Sequence, residues 1–591
     1  MAKVARMHVA RTPSKYVDKA GKVHRYESIL VRRSFRDGTK VRHQTLANLS
    51  KLPAEVITAI EASLKGQALV PAEAVCTLGR ALPHGHVAAV AAMARSLGLP
   101  ALLGPACRTR DLALGLIISR VIRPTSKLST LGWWSDSTLG PDLDVAGAST
   151  DEIYAAMDWL ADQQEAIETK LAAKHLGPAV NPSRMALFDL TSSWVTGRCC
   201  ELAARGYSRD GKKGLPQIEY GILTDPDGRP VAVRVFPGNT ADPVAFTDII
   251  EVIRTTFGLA RLVLVGDRGM ITSARITALD ELNTDTGTAF GWITALRAPA
   301  IAKRAADNGP LQMSLFDQHD LAEITHPDYP GERLIACRNP ALAAQRTRKR
   351  AELLAATQAD LAAIAERVAR GTLTGAGRIG EAVGRIIAKY KMGKHFDRTI
   401  TDTAFTYQQN HVSIAAEAAL DGIYVLRTCV PTSDLTAAGV VESYKNLAHV
   451  ERDFRSIKTD DLDLRPIHHR LTDRVKAHVL ICMLACYLTW HLRKAWAPLT
   501  YTDENPPARD NPVAPAQRSP AAQAKASRHH APDGTVLRSF HDLLDHLATL
   551  TRNEVTFTQT TTPIPMLAQP TPDQRRAFEL IGTPIPLTIA A

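Results

Sequence analysis

Apolar positions along the chain fall into runs whose length and spacing separate strands from helices. "MALFDLTSS" closes a short apolar run on Asp189, and the five residues from Arg261 to Val265 read as a fully buried strand leading to Asp267. Between them, "IEYGILT", the turn "DPDG" and "PVAVRVF" predict a hairpin continuing from the Asp189 strand. A helix fits residues 243–256, another fits 271–283, and "FGWITAL" at 290–296 predicts one more strand. Upstream, residues 84–180 are mostly helical by periodicity, as in "LALGLIISRVI". The most apolar stretch, Val479–Trp490, spans 12 residues, short of the ~20 a membrane-spanning helix requires, and predicts a buried helix.

The segment "VVESYKNLAHVERDFRSIK", residues 440–458, carries the most chemistry. On one continuous α-helix, at about 100° per residue, Tyr444, Leu447, Glu451, Arg455 and Lys458 share a face, while Val450, Phe454 and Ile457 form an apolar stripe beside it. A carboxylate between bases suits a cation held beside a phosphate; a solvated helix face has the same pattern. Asp189 and Asp267 each end a strand, where α/β sheets present side chains to a ligand crevice. Either one also fits a turn former or helix N-cap.

The order of elements narrows these alternatives. Three meandering strands followed by alternating helix and strand is the order of a ribonuclease H-like fold, a mixed five-stranded sheet with flanking helices. In that fold the first and fourth strands are neighbours, so Asp189 and Asp267 would meet although 78 residues apart (267 − 189). With these elements in place, the chain resembles the DDE transposases of bacterial insertion sequences, in the branch with a tyrosine, arginine, glutamate, lysine signature. Tyr444, Glu451 and Lys458 hold that register, and Leu447 stands where arginine is expected. The resemblance also covers "DLTSSWVTG", "GNTAD", "GDRGMIT", "DGIYVLRT" and "LDLRPIHHR", and runs from "RYESILVRRSFRDGTKVRHQTLANLS" to about residue 495.

The resemblance implies a metal-dependent enzyme that binds the element's terminal inverted repeats, cleaves DNA phosphodiester bonds and joins the released 3′-hydroxyl to target DNA. Asp189, Asp267 and Glu451 would be catalytic and would hold two Mg²⁺ ions, with Mn²⁺ as a substitute. Tyr444, Arg455, Lys458, Arg268 and His468 would contact DNA, with Arg455 supplying the contact of the missing arginine and Leu447 joining the core. A homodimer in the paired-end complex is expected by the same resemblance. Two rival readings share some of these features: another ribonuclease H-like nuclease, and a transposase-derived DNA-binding protein without catalysis.

Composition fits a polyanionic partner. The formal net charge is +11 and the pI about 9.2, with the bases spread along the chain. At 591 residues the chain is too long for one core. It predicts a basic β/α region (1–75), a helical DNA-binding region (76–180) and a first catalytic part (181–300). An inserted subdomain (301–420), a second catalytic part (421–500), a flexible linker (501–535) and a carboxy-terminal region (536–591) follow. "RVIRPTSKLST" is the best segment for a helical DNA reader, and an ordinary bundle with a basic rim fits it equally. Trp292 could stack on a flipped base or fill the core. Eight cysteines in so long a chain predict core packing for most of them, and His468, His469 and His478 predict phosphate contact or polar surface rather than a metal site. The basic start "MAKVARMHVARTPSK" lacks an apolar signal region, which predicts a cytoplasmic, nucleoid-associated protein with no membrane partner.

Overall fold

The computed structural model describes residues 7–19, 22–67, 75–305, 311, 316, 319–558 and 562–589. Residues 1–6 of the basic start, and parts of the expected insertion between 306 and 318, lie outside the described residues. The chain divides into two compact units, one of residues 1–81 with 552–567 and a larger one of residues 82–551 with 568–591.

In the smaller unit, strands Met7–Val17, Val23–Asp37 and Lys40–Asn48 form an antiparallel meander. Helix Ala54–Leu64 follows, and Gly66 ends it with φ +80°, a left-handed turn that glycine adopts without strain. Val31, Leu49 and Ile57 make a small core. A second sheet joins distant parts of the chain, with Thr551–Phe557 central between Cys76–Pro83 and Ile564–Leu567.

The larger unit begins with helices, among them α1 (Arg108–Ile122), α2 (Lys127–Ser135) and α3 (Gln164–His175). Its sheet has eight strands: β1 (Met185–Trp194), β2 (Gln217–Thr224), β3 (Pro230–Pro237), β4 (Arg261–Val265), β5 (Ala289–Ala295), β6 (Leu321–Ile324), β7 (Arg333–Arg338) and β8 (Ile423–Thr428). Their spatial order is β6-β7-β8-β5-β4-β1-β2-β3. Pairing is parallel for β1 with β4 and for β4 with β5, and antiparallel elsewhere. The sequence predicts five of these strands and, in "DLAEITHPDYPGERLIACR", a strand pair of the inserted subdomain. That pair is β6 and β7, and it extends this sheet beyond β5 because the apolar run "LIAC" of β7 pairs with the equally apolar β8.

The expected insertion therefore belongs partly to this sheet. Its remainder, helices Pro340–Ala369 and Ala376–Tyr390 with the hairpin Phe396–Ile400 and Phe405–Gln409, gathers a core of its own around Leu361, Ile379, Val383 and Phe396. After β8 come α4 (Ala437–Lys445), α5 (Leu447–Arg455) and α6 (Thr472–Ala495). Helix α6 is twice the length of the apolar stretch that predicts it. By length and composition it could cross a membrane, but 83% of its apolar window is buried inside the protein, against α1 and β3 among others.

Two other expectations change. Residues 501–535, read as a flexible linker, carry helix Pro520–Arg528 and are tied to the unit by lysines. Lys445 Nζ donates to the carbonyls of Val513 and Ala514 at 2.8 and 2.9 Å, and Lys525 Nζ to that of Ala497 at 2.9 Å. Of the eight cysteines only Cys337, Cys482 and Cys486 are buried, while Cys107 and Cys199 are exposed.

An ion pair fastens α3 to the edge strand β3. Glu168 is fully buried and accepts from the Val233 amide at 3.0 Å and from Arg234 Nη1 at 2.5 Å. Burial pushes its carboxyl above the usual range in spite of Arg234. Removing one partner leaves the other charge buried alone, which costs about 3–5 kcal/mol. Arg234→Met should therefore lower the urea midpoint of the larger unit markedly, whereas Arg254→Met, on an exposed pair with Glu251, should leave it almost unchanged. Unfolding followed by tryptophan fluorescence would read both.

Candidate active site

The register of the sheet brings the two aspartates together. Met185, Ala186 and Leu187 of β1 lie beside Val263, Leu264 and Val265 of β4 in parallel. Asp189 is two residues past Leu187 and Asp267 two past Val265, so both stand at the same level. There β4 has ended, whereas β1 runs on to Trp194 paired with β2, so Asp189, expected to end its strand, lies within it. Space on the other side of β1 is tight. Gly221 of β2 lies opposite Leu190, and a Cβ there would come within 2.6 Å of the Phe188 ring. Only glycine lets the two strands close at this level.

Each carboxylate is held by local backbone. Asp189, half-buried, accepts the Leu190 amide at 2.8 Å, and Asp267, exposed, accepts the Gly269 amide at 2.6 Å. Glu451 comes from the exposed side of α5. The three sense one another: Asp189 is pushed up to about 7 by burial first, opposed by the Leu190 amide, with Asp267 and Glu451 adding to the rise and Arg209 opposing it. Tyr444, partly buried, is raised to about 12 by burial and then by Asp267, with Asp189 and Glu451 contributing and Arg268 opposing. Tyr444 thus sits among all three acids.

The helix carrying Glu451 is not continuous as expected. It breaks at Asn446, and after Arg455 a π-helical turn, Ser456–Asp460, takes over. The wider turn shifts the helical phase of the residues in it. Lys458, expected on the acidic face toward DNA, is instead buried and donates to Asp210 at 2.7 Å. Arg465 Nη1 shares that carboxylate at 2.5 Å and stacks over Trp194 at 5.0 Å. The charge of Lys458 is therefore spent inside the protein. Arg455, Arg268 and His468 are exposed. Val450, Phe454 and Ile457 enter the core and Leu447 packs against it, so leucine in place of arginine continues the apolar stripe. Trp292 is 1% exposed with Arg427 over its ring at 5.2 Å, which makes it a core residue and leaves no face for a base.

Sequence reasoning missed a polar group beside the acids. Arg209 Nη2 donates to Asp242 Oδ1 at 2.5 Å, its Nη1 lies 3.3 Å from Glu219, and its amide donates to Ser192 Oγ at 2.9 Å on the Asp189 strand. Asp242 also approaches Asp267: a Cβ built on Gly269 would lie 3.3 Å from Asp242 Oδ2 and 3.6 Å from Asp267 Oδ1. Glu219, buried on β2, is raised to about 7 by desolvation despite Arg209. The motif "GNTAD" marks Asp242 in the sequence; nothing in the spacing marks Arg209 or Asp210, whose partners are far along the chain.

Among the described residues no three His, Cys, Asp or Glu side chains converge closely enough to hold a single ion. Asp189, Asp267 and Glu451 nevertheless form no ion pair with a lysine or arginine, unlike Asp210, Asp242 and Glu219 around them. An oxygen-only donor set left without a cationic partner suits hard divalent cations, which keep waters and take phosphate oxygens as further ligands.

Comparison with known proteins is consistent with this geometry. The family described as transposase DDE domain matches residues 186–488, just over half the chain, and the one described as IS1634 family transposase, N-terminal domain, matches residues 14–81. No curated protein matches the sequence. Among solved structures, a cryo-EM structure of the piggyBac transposase synaptic complex with hairpin DNA aligns at 8% identity with a TM-score of 0.32, covering 74% of this chain and 70% of that one. From the two family matches, one spanning the paired aspartates and Glu451, this chain belongs to the DDE transposases and is an insertion-sequence transposase.

Proposed function

We propose that Asp189, Asp267 and Glu451 are the catalytic acids of a ribonuclease H-like core that cleaves the terminal inverted repeats of its element and joins the freed 3′-ends to target DNA. The observation that carries this reading is the side-by-side placement of Asp189, within β1, and Asp267, just past the end of the parallel strand β4, with Glu451 acting on the Asp189 carboxyl. The antiparallel β1-β2-β3 meander followed by parallel β4 and β5 supports the fold reading. Two Mg²⁺ ions, with Mn²⁺ as substitute, would supply activation of the attacking oxygen and charge stabilisation on the leaving one. The three carboxylates would hold them, and Arg209 would keep Asp242 from competing for them. Tyr444, Arg268, Arg455 and the exposed His468 would orient the DNA backbone at the acids. Lys458 would act indirectly, by fixing Asp210 and Arg465 at the end of the Asp189 strand.

The tyrosine, arginine, glutamate, lysine branch is the assignment we favour within the family, with Leu447 as its departure. A homodimer on paired element ends and a cytoplasmic, nucleoid-associated location belong to the same reading.

Alanine at Asp189, Asp267 or Glu451 should abolish Mg²⁺-dependent cleavage of a plasmid carrying the flanking repeats while leaving end binding in gel shifts. Cleavage retained in all three variants would refute the assignment, and wild-type binding without cleavage in Mg²⁺ or Mn²⁺ would favour a non-catalytic DNA-binding protein.

Arg455→Ala should reduce cleavage far more than Arg452→Ala; equal losses would remove Arg455 from the site.

The raised carboxyl of Asp189 predicts a pH dependence with a definite sign. Its proton is held more tightly in the folded protein than at the ordinary value of 3.8, so the metal-free protein loses stability as pH rises from about 4 to about 7, and no further above. A cation must displace that proton. Mn²⁺ affinity measured by calorimetry should therefore rise about tenfold per unit below pH 7 and flatten above it; an affinity unchanged from pH 5.5 to 8 would contradict the placement of Asp189 among the ligands.

A further inference from the structure

A cavity of about 400 Å³ lies between the start of α2 and the segment that leads into α6, lined by Arg120, Ser126, Lys127, Asp463, His469 and His478 among others. Its walls are basic and buried: Arg120, Lys127 and His478 are each 6% exposed. His478 Nε2 donates to the Leu464 carbonyl at 3.3 Å, which leaves Nδ1 to accept from Lys127 Nζ at 3.3 Å. The His469 ring packs 5.0 Å from that of His478. Arg120 donates only to carbonyls, those of Thr125 at 3.0 Å and Leu462 at 3.4 Å.

No carboxylate pairs with Lys127 or Arg120 among the described residues. Of the other charged groups here, Arg465 is bound to Asp210 and Arg474 to Asp158, and the lining carboxylate, Asp463, is exposed. Burial and mutual repulsion push Lys127, His469 and His478 toward their neutral forms, with Lys127 and Arg120 acting on both rings. Two buried bases without an acid are costly unless an anion completes the site. Once an anion restores its charge, Lys127 has two protons free beyond the one given to His478, and with the Arg120 guanidinium and the first amides of α2, whose N-cap is Ser126, these are donors of the kind that bind phosphate.

We propose that this cavity is a phosphate-binding site, and that in the working protein it receives a backbone phosphate of DNA. Arg465, which lines the pocket, shares Asp210 with Lys458, on the π turn that follows the helix of Glu451. The segment "RVIRPTSKLST" thus meets DNA by capturing a phosphate rather than by reading bases from a helix face. The proposal rests on the transposase reading for the source of the phosphate, and on the pocket alone for its chemistry.

The test uses the full-length protein and two probes. Inorganic phosphate, titrated at constant ionic strength against chloride, should raise the melting temperature of wild type. Lys127→Met should weaken this binding at least tenfold, and Glu451→Ala should leave it intact, so a failure of the cleavage reading would not disturb it. Should Lys127→Met not fold, His469→Gln, on the cavity wall, should weaken phosphate binding in the same assay. In ethylation interference on repeat DNA, one ethylated phosphate should impair wild-type binding and lose its effect in the Lys127 or His469 variant. Phosphate binding without any such position would assign the pocket to free phosphate and overturn the DNA source. Phosphate binding absent in wild type, or equal in the variants, would overturn the site.

Discussion

Parallel pairing between two strands far apart in sequence is the constraint on which the rest of the structure depends. β1 and β4 are separated by a complete hairpin and a helix, yet their register sets Asp189, within β1, level with Asp267, just past the end of β4. Everything chemically notable is arranged about that level: the two aspartates, the glycine that lets β2 close against β1, and the helix that carries Glu451. A slip of one residue in β1 would turn Asp189 to the opposite face and bring Phe188 in its place.

The electrostatics follow from that arrangement. Asp267 and Glu451 act on the carboxyl of Asp189, and three nearby bases are committed to other carboxylates. Arg209 is bound to Asp242 and Glu219, and Lys458 and Arg465 to Asp210. These secondary pairs hold the walls rigid without discharging the acids inside them. The carboxyl of Asp189 is raised by burial first, and Asp267 and Glu451 add to the rise.

Much of this is legible in the sequence, for physical reasons that can be named. Apolar runs, with "DPDG" between the hairpin strands, reveal β1 to β5 because burial on both faces writes continuous apolar runs, although β1 continues five residues past the aspartate that closes its run. Glu451 and its apolar stripe are legible because the pattern repeats at helical spacing. The π turn after Arg455 is not, since nothing local distinguishes it from an α turn, and so regular helical phase puts Lys458 on the wrong side. Its partner Asp210 lies 248 residues away, beyond any periodicity. The outward growth of the sheet through β6, β7 and β8 is hidden for the same reason: pairing partners in a sheet are chosen in space. The linker reading fails where lysines supply donors to a proline-rich segment that composition alone describes as loose.

The second sheet of the smaller unit has a consequence for how the protein is made. Its central strand, Thr551–Phe557, joins Cys76–Pro83 near the other end of the chain. On the ribosome, the strand Cys76–Pro83 must wait through the synthesis of residues 84–550 before that sheet can close. Completion of this sheet runs against the order of synthesis: the strand Cys76–Pro83 is made long before its neighbour, and a chain that stops short of residue 551 keeps it without that neighbour.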